Sequence, residues 1–296
     1  MGKDLAEEFV VARETFSEAD DILRINLSEL AWEGPEDELN DTINTQPALF
    51  VHSIAALRVF EEIRPDWKPV FVAGHSMGEL SALVAAGCFR FEDGIQLVRI
   101  RGELMKQAGD LSPGGMAAIL GLDISILEEI CSASSAPEQP VQIANDNCPG
   151  QIVISGAAPA LERAMLKARE AGARRVVPLA VSIAAHSPLM HLAQSGFNRA
   201  VDSSPMVDPL VPIVGNVTAG PLTRAAEVRA DLQAQLNSRV RWTESIQLMQ
   251  HSGVTTYFEL GNNTVLTGLL KRIDREAQGI PLGSSADFQK LIKSKT

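Results

Sequence analysis

One stretch constrains this chain more than any other: Val70-Phe71-Val72-Ala73-Gly74-His75-Ser76-Met77-Gly78-Glu79-Leu80. A short apolar run enters Gly-His-Ser-Met-Gly, and a helix-forming segment, Glu79 to Ala86, leaves it. G-x-S-x-G between a strand and a helix is the setting in which a nucleophilic serine is held on a sharp turn. The two glycines are read as allowing the turn and the close approach of strand and helix. The turn lifts the Ser76 hydroxyl to the N-terminus of the following helix, where the dipole and free N–H groups favour an anion. The N–H of Met77, the residue after the nucleophile, is then the natural oxyanion donor. The bare motif is common by chance; the flanking strand and helix give it weight.

Charge narrows the partners. The 296 residues carry 26 Lys+Arg against 37 Asp+Glu, a net charge of −11. Such a chain is not expected to bind nucleic acid or an anionic membrane surface, although a local basic patch stays open. Hydrophobic residues make up 45%, enough for a sizeable core. The three cysteines, Cys88, Cys131 and Cys148, form no C-x-x-C pair, which suits a reducing compartment. The five histidines (His52, His75, His186, His191, His251) show no zinc-ligand spacing, so neither a metal nor a cofactor is expected. The polar, acidic start has no apolar signal core, and no run reaches a membrane span. A cytoplasmic protein is the expectation.

Hydrophobic periodicity predicts a helix over Leu5 to Leu23, a turn at Glu33 to Asp37, and a helix from Thr45 to Ile63 with Pro47 in its first turn. Arg58 falls off the apolar face of that helix and is expected in solvent. The elbow strand (Val70 to Ala73) and its helix follow, Gly87 is a candidate C-cap, and Phe91 to Ala108 reads as helix. Asp110 to Gly115 is a loop. The next segment has a different rhythm: strand Met116–Leu120, helix Ile124–Cys131, strands Val141–Ala144 and Gln151–Ser155, helix Pro159–Ala171, strand Arg175–Leu179. That order, β-α-β-β-α-β, is the ferredoxin-like unit. Beyond it come a helix from His186 to Val201, a strand Val211–Val214, helices Ala225–Leu236 and Arg241–His251, a strand Thr255–Leu260, and a final helix through Arg272. The fold class is therefore read as α/β: a mostly parallel-sheet large domain (1–114 and 181–296) with an inserted ferredoxin-like small domain (115–180).

A serine nucleophile needs a base. His186 sits where a strand gives way to a helix, a common place for active sites, and is weakly favoured by position. His52 lies within a helix, His75 adjoins the nucleophile, His191 is a helix-face residue, and His251 suits a helix end. Arg101, on the helix after the elbow helix, could hold a carboxylate through two parallel hydrogen bonds. By itself it reads as a solvated arginine, as does Arg99. Asn145, Asn147, Gln151 and Gln235 are amides that could donate to an oxyanion or orient the base; most such amides form turns.

Taken in order, these residues resemble the malonyl-CoA:acyl carrier protein transacylase family, which includes acyltransferase domains of fatty acid and polyketide synthesis. The matching stretches are Thr45-Gln46-Pro47-Ala48-Leu49, Gly74 to Leu83, Arg101-Gly102, Asn147 to Gly156, Val181-Ser182 through Met190, Gln235-Leu236, Val240 to Thr243, and Val265 to Leu269. They cover nearly the whole chain, and the resemblance implies that the large domain is hydrolase-like. The resemblance implies ping-pong chemistry: Ser76 takes malonyl from malonyl-CoA, and the phosphopantetheine thiol of acyl carrier protein removes it. It makes His186 base and then acid, Arg101 the partner of the free malonyl carboxylate, and Met77 an oxyanion donor. Gln235 matches the position whose backbone carbonyl orients the histidine, and Asn147 matches a pocket amide.

The chain departs from the family at its start, where a strand and a Gly-Gln-Gly-Ser-Gln loop are expected and Met1-Gly2-Lys3-Asp4-Leu5 stands instead. Loss of one oxyanion donor costs about 10²–10³ in rate, so a weak, truncated carrier-binding subunit is one alternative. Asn262-Asn263 also replaces the usual Pro-Gly. A serine esterase or thioesterase is the other alternative; it shares the elbow but orders its triad Ser, acid, late His. Arg174, Arg175, Arg239, Arg241, Lys271 and Arg272 are candidates for a local basic surface that docks an acidic carrier protein.

Overall fold

The elbow strand is only two residues long, and it pairs with a strand from the far half of the chain. The computed structural model describes residues 1–181 and 183–293; Ser182, part of the Val181–His186 stretch, lies outside them. Five helices, α1 (Lys3–Glu8), α2 (Val10–Leu23), α3 (Leu27–Glu33), α4 (Glu36–Asn40) and α5 (Thr42–Ile63), precede β1 (Val72–Ala73). α6 (Gly78–Ala85) and α7 (Phe91–Leu111) follow the elbow. Then come β2 (Gly114–Leu120), α8 (Ile124–Ser134), β3 (Val141–Cys148), β4 (Gln151–Ala157), α9 (Ala158–Glu170) and β5 (Arg175–Pro178). A 3₁₀ turn, Pro188–Met190, runs into α10 (His191–Ser203), followed by β6 (Ile213–Val214), β7 (Pro221–Leu222), α11 (Ala225–Gln235) and α12 (Trp242–His251). β8 (Thr256–Leu260), α13 (Val265–Ile273), β9 (Gln278–Leu282) and α14 (Ser285–Lys293) complete the described chain.

The fold is α/β with mixed sheets. β1 pairs in parallel with β6 (Val72↔Ile213, Ala73↔Val214), and β6 pairs antiparallel with β7. β8 and β9 form a separate parallel pair over five residues. Parallel pairing is thus divided between two small sheets, where one mostly parallel sheet was expected. The largest sheet is antiparallel, in the order β3-β4-β2-β5. It has its own core, Ile119, Ile143, Ile152 and Ile154 packed on Leu127 and Leu161 of the two helices. The main core gathers the helices around α5 and α7, with Phe50, Ile54, Leu97 and Val98 fully or almost fully buried.

Several boundaries differ from the sequence reading for identifiable reasons. The first helix breaks at Phe9, which takes an extended conformation and sets its ring edge-on to Phe288 of α14, 5.8 Å away. α5 starts earlier than expected because the Asp41 carboxylate caps it, accepting from Ile43 N–H at 3.1 Å. Pro47 therefore lies inside the helix, and its missing N–H leaves the Ile43 carbonyl without its helical donor. Arg99 of α7 supplies one, Nη1 donating to that carbonyl at 3.2 Å and to Asn44 Oδ1 at 3.0 Å. Arg99 is thus a structural link, not a solvated arginine. Arg58 likewise leaves solvent to donate to Thr15 and Glu18 and to lie over the Phe91 ring. β3 and β4 run further than expected and meet at a Pro149-Gly150 turn, with register shifts between Ile143 and Asn145 and between Asp146 and Cys148. His186 does not begin a helix: it stands before the 3₁₀ turn with φ of 56°.

Candidate active site

The nucleophile elbow has the expected form. Ser76 has φ of 53°, in the left-handed region that a non-glycine residue adopts only when its surroundings impose it. A Cβ on Gly74 would lie 1.9 Å from the Gly78 carbonyl oxygen, so glycine there is what lets β1 and α6 meet. The space around Gly78 is open, so the second glycine is not explained by close packing. The turn is held by Asn216, at the end of β6. Its Oδ1 accepts from Ser76 N–H and its Nδ2 donates to the Gly74 carbonyl, both at 2.7 Å. Met77 is the N-cap of α6, so its N–H belongs to the helix end whose donors have no intrahelical partner.

His186 reaches the serine from the other half of the chain. Its Nε2 lies 2.7 Å from Ser76 Oγ. Its Nδ1 lies 2.9 Å from the main-chain oxygen of Gln235, the last residue of α11, a carbonyl that otherwise accepts only a long bond from Ser238 N–H at 3.3 Å. A proton on Nδ1 satisfies that carbonyl and leaves the Nε2 lone pair for the serine O–H. Gln142 of β3 fixes the turn, its Nε2 donating to the main-chain oxygens of His186 and Asn237 at 2.8 and 2.9 Å. Burial, reinforced by the Arg101 charge, pushes the His186 pKa down to about 3, so the free imidazole is neutral at pH 7.

Arg101 is 1% exposed. Its Nη1 donates to Gln46 Oε1 at 2.6 Å, and its Nη2 to Gln235 Oε1 at 2.9 Å and Ser76 Oγ at 3.1 Å. All three partners are neutral. Its Nε is buried with no acceptor, and among the described residues no carboxylate lies within ion-pair distance. Burial lowers its pKa to about 10, which leaves it charged at neutral pH. A buried cation surrounded by amides and one hydroxyl is a receptor for an anion. The site can therefore perform acyl transfer at Ser76 on an acyl group that carries a carboxylate.

The structure brings Ser76, Met77, His186, Arg101 and Gln235 together. Gln235 takes part twice, since its side chain bridges Arg101, the Ser76 carbonyl (3.1 Å) and Glu79. Asn147 Oδ1 bonds His75 Nε2 at 2.8 Å, and the His75 ring meets Trp242 edge-on. Gln151 accepts from Arg272 and is not part of the cluster, and Asn145 bridges to Val240. Gln46, Glu79, Gln142 and Asn216 were not singled out from the sequence. A lone acid in an apolar helix, and a Gly-Asn at a strand end, were the signals available for Glu79 and Asn216.

The chain is similar to known proteins over almost its whole length. Residues 1–286 match the acyl transferase domain family. The malonyl CoA-acyl carrier protein transacylase of Bacillus subtilis (strain 168) is 43% identical over 296 residues, covering 99% of this chain and 92% of that protein. The crystal structure of the acyl-carrier-protein S-malonyltransferase from Bartonella henselae is 43% identical and superposes with a TM-score of 0.94, covering 99% of this chain and 94% of that one. A malonyl-transacylase solved in complex with its type II polyketide acyl carrier protein is 39% identical, with a TM-score of 0.94 and the same coverages. The chain, with its serine elbow, its distant histidine and its buried arginine, belongs to the acyl transferase domain family.

Proposed function

We propose that this chain transfers a malonyl group from malonyl-CoA to the phosphopantetheine thiol of acyl carrier protein through an acyl-enzyme on Ser76. The observation that carries the reading is the buried Arg101 guanidinium, 3.1 Å from Ser76 Oγ and without an acidic partner among the described residues. A malonyl carboxylate supplies the missing charge and places the thioester carbonyl beside the hydroxyl.

In the first half-reaction Ser76 Oγ attacks the thioester carbon while His186 Nε2 takes its proton. The negative charge that develops on the carbonyl oxygen is met by the Met77 N–H at the start of α6. Collapse expels the coenzyme A thiolate, and the imidazolium returns its proton to that sulfur. The carrier thiol then gives its proton to His186 and attacks the seryl ester, and Ser76 Oγ leaves as it takes that proton back from the imidazolium. The Gln235 carbonyl stabilises the imidazolium in both halves, as a neutral substitute for a triad acid. Binding of the substrate carboxylate offsets the Arg101 charge, raising the basicity of His186 when a base is needed.

The finer architecture belongs to the same reading. The strand order β3-β4-β2-β5, with two helices and a separate core, supports a ferredoxin-like insert over 115–180. Residues 1–114 and 181–296 then make a hydrolase-like large domain. A cytoplasmic setting accords with three free, buried cysteines and with no described helix long and apolar enough to cross a membrane.

The test is the intact mass of the chain after incubation with malonyl-CoA. A malonyl-sized adduct is expected on the parent and none on Ser76→Ala. An adduct that forms equally well from acetyl-CoA would overturn the role given to Arg101.

A further inference from the structure

Glu79 is the only acid between Val70 and Cys88, and α6 buries it to 1% exposure. Three surroundings meet its carboxyl group. Gln235 Nε2, from the end of α11, donates to Oε2. The main-chain N–H of Asn216, after β6, donates to Oε1 at 3.1 Å. Asp231, from within α11, stands in hydrogen-bond contact with it. Asp231 is also buried, and it accepts from the N–H groups of Val217 (3.2 Å) and Thr218 (3.0 Å). Among the described residues neither carboxyl forms an ion pair with Lys or Arg. Arg101 of α7 lies on the far side of the Gln235 amide, which bonds both residues.

A buried carboxyl with no cation to pair it and a second carboxyl beside it is favoured in its neutral form. Both Oε atoms of Glu79 also accept hydrogen bonds, and this fixes the neighbouring amide: with Nε2 turned to Glu79 and the Ser76 carbonyl, Gln235 must present Oε1 to Arg101.

We propose that Glu79 is a positioning residue held as a neutral carboxylic acid, donating its proton to Asp231, locking the Gln235 amide toward Arg101 and leaving the Arg101 charge free for the acyl carboxylate. An ionised Glu79 would stand one amide away from the guanidinium and compete with the substrate for it. Burial, followed by the Asp231 charge, raises the Glu79 pKa well above the ordinary carboxyl range, in keeping with this assignment. Asn216 extends the same lock to the elbow, since its main-chain N–H bonds Glu79 while its side chain bonds Ser76 and Gly74.

The proposal rests on the malonyl-binding reading of Arg101, and its test keeps the two apart. Glu79→Gln replaces the acid proton by an amide N–H and retains an acceptor for Gln235, losing only the acceptor for the Asn216 N–H. It should keep kcat/KM for malonyl-CoA within about tenfold of the parent, while Glu79→Ala loses about 100-fold, the scale expected when a supporting residue is removed. The infrared spectrum of the parent at neutral pH should hold a protonated carboxylic acid C=O band that Glu79→Gln removes. Absence of that band, or a folded Glu79→Gln as impaired as Glu79→Ala, overturns the proposal. Equal loading of malonyl and acetyl by the parent would instead sink the Arg101 reading and leave the infrared result standing.

Discussion

Two buried regions of this molecule are built on opposite rules. Around the β3-β4-β2-β5 sheet the interior is apolar, with Ile119 and Ile154 fully buried and packed on helix leucines. Beneath the elbow the interior holds Gln46, Glu79, Arg101, His186, Asn216, Asp231 and Gln235, each at 6% exposure or less. The first core is what burial alone would select. The second accepts desolvated polar groups and a left-handed serine, features that persist only when the surroundings over-determine them. The difference separates residues that keep the chain folded from residues that make it a catalyst.

That contrast can be broken by substitution. Ser76→Ala should abolish the acyl-enzyme and lower kcat by about 10⁵–10⁶ while the protein melts where the parent does. Arg101→Ala should reduce kcat/KM for malonyl-CoA by about 10²–10³, the consequence of leaving a buried substrate carboxylate unpaired, and should not reduce acetyl-CoA loading. It should also leave the melting temperature unchanged or higher, because a buried charge without an acidic partner is removed; a clear fall would mean Arg101 belongs to the structural class. Ile154→Ala should behave in the opposite way. It should destabilise the fold by about 2–5 kcal/mol, measured by denaturant unfolding, with the loading rate of the folded protein unaltered.

The smallest effect is on pH. Burial and the Arg101 charge hold the His186 pKa at about 3, so the base is lost only as pH falls far below the ordinary histidine range. The acid limb of kcat/KM should lie below about pH 6.5, the unperturbed histidine value. Removing the Arg101 charge favours the imidazolium, so in Arg101→Ala the acid limb for acetyl-CoA should move up by about one unit. No movement, or movement downward, would mean that the two groups do not sense each other.

Much of this was legible in the sequence, and unevenly so. Ser76 could be read from a local pattern, because strand, turn and helix are all contiguous. His186 and Arg101 were legible as residue types, but their meeting at Ser76 is a tertiary fact that spacing does not encode. Gln235 became readable only through family resemblance, since a main-chain carbonyl leaves no mark in a side-chain sequence. Glu79 and Asn216 were missed although each broke a local rule. β9 was missed because Gln278-Gly279-Ile280-Pro281-Leu282 reads as a loop; in the fold it lies in parallel alongside β8. α3 and α4 were hidden in the same way around Gly34-Pro35.

The neutral surroundings of Arg101 have a thermodynamic consequence for the working enzyme. A receptor that holds a charge with no internal counterpart is least stable when empty, and any ligand that supplies the anion stabilises the folded state. The malonylated form should therefore melt at a higher temperature than the free form, whereas an acetylated form should gain little. Resistance to heat or proteolysis would then follow the supply of acyl donor: an idle molecule is the vulnerable one, and a loaded molecule is protected until the carrier thiol arrives.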